Sequence, residues 1–330
     1  MGPICLTTGP TPVRQLVRTA GSDLWLKDDG LVSPLYGGNK VRKLEAVLPH
    51  ILRRRASRIL TLGAAGSHHV LATALFARRY SVPTHALLLP QPWSAHAEAT
   101  LRATVATCER VEAATSAAAI PRWLLNCRRG DYVLAPGAST HLGALGVARG
   151  VSELRAQIEA HELPEPDLIV TPLGSGGTAA GLLAGALLQN LKCRIVAVQV
   201  TRAPGLRWLV LRLARAALRA AGFDASWSTL GARLVTTRRY CGSSYGARTE
   251  AGEAATRRSS ELGLQLDVTY TAKAFAAALD ATAGCLLETA PVDNVLYWHT
   301  LSAQPPASCA PEAAFSAPLP AALDALLPRT

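Results

Sequence analysis

Apolar residues recur along the chain in two rhythms: short continuous runs, which read as buried strands, and the i, i+3, i+4 spacing of an amphipathic helix. Leu24-Trp25-Leu26-Lys27 is the first run. A polar loop follows, then a helix from Lys40 with Val41, Leu44, Val47, Leu48 and Ile51 on one face. Pro49 is expected to kink it near its end. Ile59-Leu60-Thr61-Leu62 leads through the loop 63–69 into a helix bearing Val70, Leu71, Ala74 and Leu75, with a successor strand over residues 84–89. Leu168-Ile169-Val170 leads through Gly174-Ser175-Gly176-Gly177-Thr178 into a helix ending near Leu188, and the next strand covers residues 195–200. Strands alternating with helices predict an α/β fold, an open and largely parallel sheet covered on both faces, with ligands at the carboxyl ends of the strands. All three small-residue loops lie at such ends. Residues 94–119 are alanine-rich and predicted mostly helical, and the Pro- and Ala-rich tail after Gln304 is predicted to wrap the surface. No solenoid repeat or low-complexity linker divides the chain.

Composition narrows the class. A 49% hydrophobic content over 330 residues supports a globular protein with two packed lobes. The 17% charged residues are scattered, so neither a disordered half nor an acidic tail is indicated. A net charge of +11 raises nucleic acid, but no DNA- or RNA-binding module accompanies it, and attraction for small anions is the better reading. Arg53-Arg54-Arg55 with Arg58 closes a predicted helix, where cations complement the dipole. Seven cysteines, with no Cys-x-x-Cys and no histidines at zinc spacing, predict a reduced cytoplasmic protein without a metal site. Met1-Gly2-Pro3-Ile4-Cys5 lacks the features of a signal peptide. The low-charge stretch 168–188 is broken by Pro172 and a glycine-rich loop, so no membrane span is expected.

Only five of the 34 basic residues are lysine, and one, Lys40, ends a Gly37-Gly38-Asn39-Lys40 turn at a helix start. Arginine stays charged, whereas a desolvated lysine can lose its proton and act as a nucleophile. Lys43 lies three residues on, on the same helical face, and two neighbouring ammonium groups each lower the other's pKa. The loop 174–178 opens a helix with backbone amides and a positive dipole end, a fit for phosphate, to which Ser175 and Thr178 add hydroxyls. It spells neither a Walker A loop nor Gly-x-Gly-x-x-Gly, and a tight turn needing glycine is an equal alternative. A nucleophilic lysine, a second lysine and a phosphate loop together fit pyridoxal 5'-phosphate.

Tyr36-Gly37-Gly38-Asn39-Lys40-Val41-Arg42-Lys43-Leu44-Glu45 resembles the cofactor-lysine motif of the 1-aminocyclopropane-1-carboxylate deaminase and D-cysteine desulfhydrase family, fold-type II (tryptophan synthase β-like) pyridoxal phosphate enzymes. Residues 167–181 resemble the family's phosphate-loop segment and residues 132–146 its hinge between lobes. Tyr245-Gly246, Leu266-Asp267-Val268-Thr269-Tyr270-Thr271-Ala272-Lys273 and residues 295–300 continue the match in order. The resemblance implies a homodimer of two-lobed subunits, with residues 1–44 and 149–330 in a larger cofactor-binding domain and 45–148 in a smaller inserted one. It implies that Lys40 holds the cofactor's aldehyde and later moves the Cα proton, and that Lys43 with Gly174, Ser175, Gly176, Gly177 and Thr178 binds phosphate. Tyr245 and Tyr270 would line the substrate pocket; without the resemblance both read as half-buried core tyrosines. Ser67 falls where the family places a serine close to substrate, and Thr271 where the pyridine nitrogen is contacted. The deaminases have glutamate there and the desulfhydrases a small hydroxyl. Thr300, in His299-Thr300, also matches the desulfhydrase form. A carboxylate keeps the pyridine nitrogen protonated and deepens the electron sink; a neutral hydroxyl suffices when a good β-leaving group departs.

Three departures surround the chemistry. Ser67-His68 replaces Ser-Asn, so His68 would supply the hydrogen bond to the cofactor's phenolic oxygen; His69 is read equally as a substrate contact or a helix-start histidine. Leu301-Ser302 stands where Gly-Gly is expected, and Gly137-Ala138 replaces a double glycine. The expected activity is α,β-elimination from a small, D-cysteine-like amino acid to a 2-oxo acid, ammonia and the leaving group, as a carbon-sulfur lyase. Cyclopropane-amino-acid deamination, elimination from a sulfonated alanine, β-replacement, and a pyridoxal phosphate-binding protein with altered catalysis are the alternatives.

Overall fold

In the computed structural model the described residues are 4–18, 21–286 and 292–328. Met1, Gly2 and Pro3, the start of the segment read above for a signal peptide, lie outside them. The chain divides into two compact units, one of residues 7–43 and 139–303, the other of residues 1–6, 44–138 and 304–330.

The first unit holds a six-stranded sheet in the order β1-β2-β10-β7-β8-β9. Its strands are β1 (Val13–Arg18), β2 (Asp23–Asp28), β7 (Leu168–Leu173), β8 (Arg194–Gln199), β9 (Leu234–Thr237) and β10 (Asn294–His299). Only β1 runs antiparallel to its neighbour; the other pairs are parallel. Alternation within each run decides which side chain faces which layer. Ile169, Leu173, Ile195, Ala197, Leu296 and Trp298 pack with α5 (His141–Glu159), α6 (Gly177–Leu188), α7 (Leu206–Ala220) and α8 (Trp227–Arg233). Their sequence neighbours Leu168, Val170, Val196, Val198, Val295 and Tyr297 pack on the opposite face with α9 (Glu250–Glu261) and α10 (Thr271–Thr282). Burial on both faces explains why these strands read as continuous apolar runs.

The second unit holds an all-parallel sheet in the order β5-β4-β3-β6, from β3 (Arg58–Ala64), β4 (Thr84–Leu89), β5 (Arg110–Ala113) and β6 (Asp131–Val133). Helices α2 (His68–Arg78), α3 (Ala95–Thr107) and the short α4 (Ile120–Leu124) accompany it. The alanine-rich segment 94–119 is mostly helical as expected, through α3 and a 3-10 turn at Ala117–Ala119, but Arg110-Val111-Glu112-Ala113 between them pairs in register with His85–Leu88 as a strand. The division between units falls within α1 (Asn39–Arg53), whose face Val41, Leu44, Val47, Leu48 and Ile51 is fully buried as its periodicity requires. Pro49 lies inside this helix without ending it.

The partition differs from the expected boundaries at the C-terminal end of the inserted segment and in the tail, while its N-terminal end agrees to within one residue. Ser139 and the whole of α5 stay with the six-stranded sheet, because Val147, Val151 and Leu154 belong to its core. The tail from Gln304 joins the four-stranded unit: Leu323, Leu326 and Leu327 enter a cluster with Ala65, Val70, Leu88 and Leu101. Among the described residues no helix is long and apolar enough to cross a membrane, and no group of three or more His, Cys, Asp or Glu is placed to hold a metal.

Candidate active site

Two glycines place Lys40. Gly38 has φ +86°, and a Cβ there would lie 2.6 Å from the Thr300 carbonyl oxygen; a Cβ on Gly37 would collide with the Gly30 backbone. The close approach is stitched by Gly38 N–H donating to Asp29 O at 2.7 Å and Gly37 N–H donating to Ser302 Oγ at 2.8 Å. Ser302, which stands where a glycine is expected, thus braces the turn before the lysine. Beneath α1, Arg42 forks onto the fully buried Asp29 with its Nε and Nη2 at 2.8–2.9 Å, and its Nη1 donates to Glu153 at 2.7 Å. Trp298 Nε1 donates to the same Asp29 carboxylate at 2.8 Å. Planar bidentate pairing of this kind fixes the helix start more firmly than a point charge could.

From that turn Lys40 Nζ donates to Asn39 Oδ1 at 2.9 Å, and Asn39 Nδ2 donates to Thr178 Oγ1 at 2.7 Å. A chain of two hydrogen bonds therefore ties the lysine amine to the glycine-rich loop. The loop leaves β7 at Gly174, turns at the left-handed Gly176 (φ 85°) and enters α6, whose N-terminus carries no side-chain cap from that glycine. Ser139 Oγ accepts from Gly177 N–H at 3.1 Å and lies 2.8 Å from Ser175 Oγ; a Cβ on Gly177 would sit 2.6 Å from it. Tyr270 covers the loop closely enough that a Cβ on Gly174 would be 2.9 Å from its Cε1. Lys40 Nζ lies 6.0 Å from the Tyr270 ring centre, and the Tyr245 and Tyr270 hydroxyls are 2.7 Å apart.

Burial lowers the Lys40 pKa to about 8, partly opposed by the charge of Asp267. Burial, then the neighbouring Lys40, pushes Lys43 well below the ordinary lysine range. Burial raises Tyr270 to about 12 and Tyr245 well above its usual value, so both hydroxyls keep their protons at neutral pH. A buried lysine and a half-buried one within one helical turn incur a desolvation cost that a bound anion offsets. An amine poised to lose its proton, a second lysine beside it and a helix N-terminus behind a glycine loop suit an aldehyde joined to a phosphate. The residues present fit pyridoxal 5'-phosphate.

Thr271 is buried, and its hydroxyl is engaged by Asp267. Thr300 is half-buried and presents its carbonyl to Gly38. In the other unit, Ser67 caps α2 by accepting from Val70 N–H at 3.4 Å. His68 is half-buried, and its Nε2 lies 2.8 Å from His96 Nε2. His69 belongs to the core instead of the loop surface: it is 4% exposed, with Nε2 2.8 Å from Thr61 Oγ1 and Nδ1 3.4 Å from Thr73 Oγ1. Thr61 Oγ1 also lies 3.2 Å from Leu134 O and Thr73 Oγ1 lies 2.8 Å from His69 O, so the ring packs between two core hydroxyls. Asn39, Ser139, Asp267 and Ser302 carry no role in the sequence reading. Asn39, Ser139 and Asp267 lie inside its matched motifs and Ser302 in one of its departures, but the partners of Ser139 and Ser302 are distant in sequence.

A family model described as pyridoxal-phosphate dependent enzyme matches residues 4–300. The chain belongs to this family. This pyridoxal-phosphate dependent enzyme is 32% identical to nocardicin C-9' epimerase of Nocardia uniformis over 89% of its own length and 91% of the relative's. It is 30% identical to D-cysteine desulfhydrase of Klebsiella pneumoniae over 83% and 87%. A Pyrococcus abyssi protein, by name a candidate 1-aminocyclopropane-1-carboxylate deaminase, is 32% identical over 61% of the chain, and the match spans 63% of that relative's length. Among solved structures, one titled as an ACC deaminase homologue superposes with a TM-score of 0.76 at 28% identity, covering 92% of each chain. A fungal L-serine ammonia-lyase from Rhizomucor miehei shares the fold, with a TM-score of 0.64 at 18% identity over 90% and 95% of the two chains. The pyridoxal-phosphate dependent enzyme is thus of fold-type II and of the deaminase and desulfhydrase type.

Proposed function

We propose that the enzyme removes the Cα proton of a small amino acid and eliminates its β-substituent, giving a 2-oxo acid and ammonia, with a D-cysteine-like thiol as substrate. The observation that carries this reading is the bonded path from Lys40 Nζ through Asn39 to Thr178. When bound, the cofactor supplies an electron sink for the charge left at Cα. Lys40 holds its aldehyde, and the freed amine, with a pKa lowered by burial to about 8, takes the Cα proton at neutral pH. Lys43 and residues Gly174, Ser175, Gly176, Gly177 and Thr178 bind its phosphate. Tyr270, which keeps its proton, donates toward the substrate and is held by Tyr245. From the resemblance we assign Ser67 and Thr300 to the substrate, His68 to the phenolic oxygen and Thr271 to the ring nitrogen.

The test is a titration of the purified protein with pyridoxal 5'-phosphate, followed by a panel of D- and L-amino acids with 2-oxo acid release measured. A visible band of lysine-bound cofactor that Lys40→Ala abolishes is expected, with D-cysteine outpacing 1-aminocyclopropane-1-carboxylate. No band at saturating cofactor overturns the reading. The full-length likeness to an epimerase favours a second outcome of the same Cα chemistry. In deuterium oxide that outcome incorporates deuterium at Cα with inversion and releases no 2-oxo acid.

A further inference from the structure

The loop ahead of α10 holds a carboxylate that the chemistry above leaves unused. Asp267 is 8% exposed, and its Oδ1 accepts the backbone N–H of Thr269 at 2.9 Å and of Tyr270 at 2.7 Å. Its Oδ2 accepts the N–H of Thr271 at 3.1 Å. Backbone amides can only donate, so the direction of all three bonds is settled. The Thr271 hydroxyl, 1% exposed, closes the arrangement in two ways. Its Oγ1 accepts the N–H of Asp267 at 2.6 Å, and its hydrogen goes back to Asp267, to Oδ2 at 2.7 Å, with the carbonyl oxygen farther off at 3.3 Å.

A threonine hydroxyl has a single hydrogen and two lone pairs. Here the hydrogen is given to Asp267 and one lone pair is taken by the Asp267 amide, whichever of the two aspartate oxygens receives the hydrogen. What remains on Oγ1 is an acceptor. This acceptor matters on the functional reading above, in which Thr271 meets the cofactor's ring nitrogen. An unprotonated pyridine nitrogen offers a lone pair, and lone pair against lone pair in a buried site is repulsive. A protonated one offers the N–H that Oγ1 can accept.

We propose that Asp267 is a positioning residue that, through the Thr271 hydroxyl, holds the cofactor's ring nitrogen in its protonated form. The chain then has the electronic effect of a carboxylate beside the ring, displaced by one hydrogen bond. A threonine that donates to the ring would favour a neutral pyridine and restrict the enzyme to good leaving groups; a threonine whose hydrogen is held by Asp267 deepens the electron sink and extends the substrate class to β-carbons with poorer leaving groups, a strained ring among them.

Asp267 also caps α10, so a variant there could act on the helix alone. Thr271→Val leaves the three amide bonds to Asp267 in place and removes only the hydroxyl; Thr271→Ser keeps it. The experiment is NMR of the holoenzyme loaded with pyridoxal 5'-phosphate labelled with 15N at the ring, with the visible band of lysine-bound cofactor as the check on capture. The expected result is the shift of a protonated ring nitrogen in the wild type and Thr271→Ser, moving toward that of free pyridine in Thr271→Val and in Asp267→Asn. Cofactor captured with an unprotonated ring nitrogen in the wild type, or a shift unmoved by Thr271→Val, overturns the proposal alone. A wild type that never captures the cofactor overturns it together with the functional reading.

Discussion

Lys40 is set apart by its neighbours and not by rarity. Lysine is scarce, yet Lys27 and Lys273 are as buried as Lys43 and serve structure: Lys27 Nζ donates to Thr11 O and Gln157 Oε1 at 2.8 Å, and Lys273 donates to Cys241 O at 2.8 Å. Lys40 faces a side-chain amide that leads to the glycine-rich loop at the start of α6. Its depressed pKa has a thermodynamic consequence. With a folded value of about 8 against 10.5 for the free side chain, the unfolded chain binds more protons between those values. The penalty is therefore full below pH 8 and is relieved as pH rises toward 10.5. Urea midpoints of the cofactor-free protein, compared with Lys40→Met, are expected to show a pH-dependent gain across this window in the wild type that the variant lacks. Capture of pyridoxal 5'-phosphate should accelerate through the same lower limit, since the neutral amine is the nucleophile, and stopped-flow absorbance across pH reads it directly.

At the scale of elements, the turn before α1 and the loop before α6 were legible because glycine spacing and an amphipathic face are local properties of the sequence. What holds the turn was not. Gly38→Ala places a side chain at φ +86° and against the Thr300 carbonyl, so a loss of about 2 kcal/mol or more is expected in chemical denaturation, with weaker cofactor capture. Arg42→Ala strips one side of a buried ion pair and leaves Asp29 uncompensated. A loss of about 3–5 kcal/mol is expected for it, whereas an exposed pair such as Arg258 with Glu261 should contribute under about 1 kcal/mol. The partners of Arg42 include Glu153, 111 residues away, which no motif within the Lys40 segment indicates.

For the whole molecule, the tail is the part that the hydrophobic pattern read least well. Its leucines are few among prolines and alanines, so they suggested a surface wrap, but Leu326 is 3% exposed and its carbonyl accepts from Gln91 N–H at 3.0 Å. Leu326→Ala is expected to cost about 2–5 kcal/mol in the four-stranded unit, read as a lowered denaturant midpoint. The net charge of +11 is expected to give no retained binding of duplex DNA or RNA at low salt; salt-sensitive binding there would point to a second activity. The three strand-loop-helix units, the lysine turn before α1 and the glycine loop were determined by the sequence itself, since each is written in contiguous residues whose periodicity or backbone freedom is local. The tertiary structure alone decided that His69 is a core residue, that Ser302 braces the lysine turn, that the tail completes a core and that the Thr271 hydrogen belongs to Asp267. The tail depends on which apolar surface its few leucines meet, and the other three on how a polar group's donors and acceptors are shared out among its neighbours once the chain has folded; spacing along the chain encodes neither.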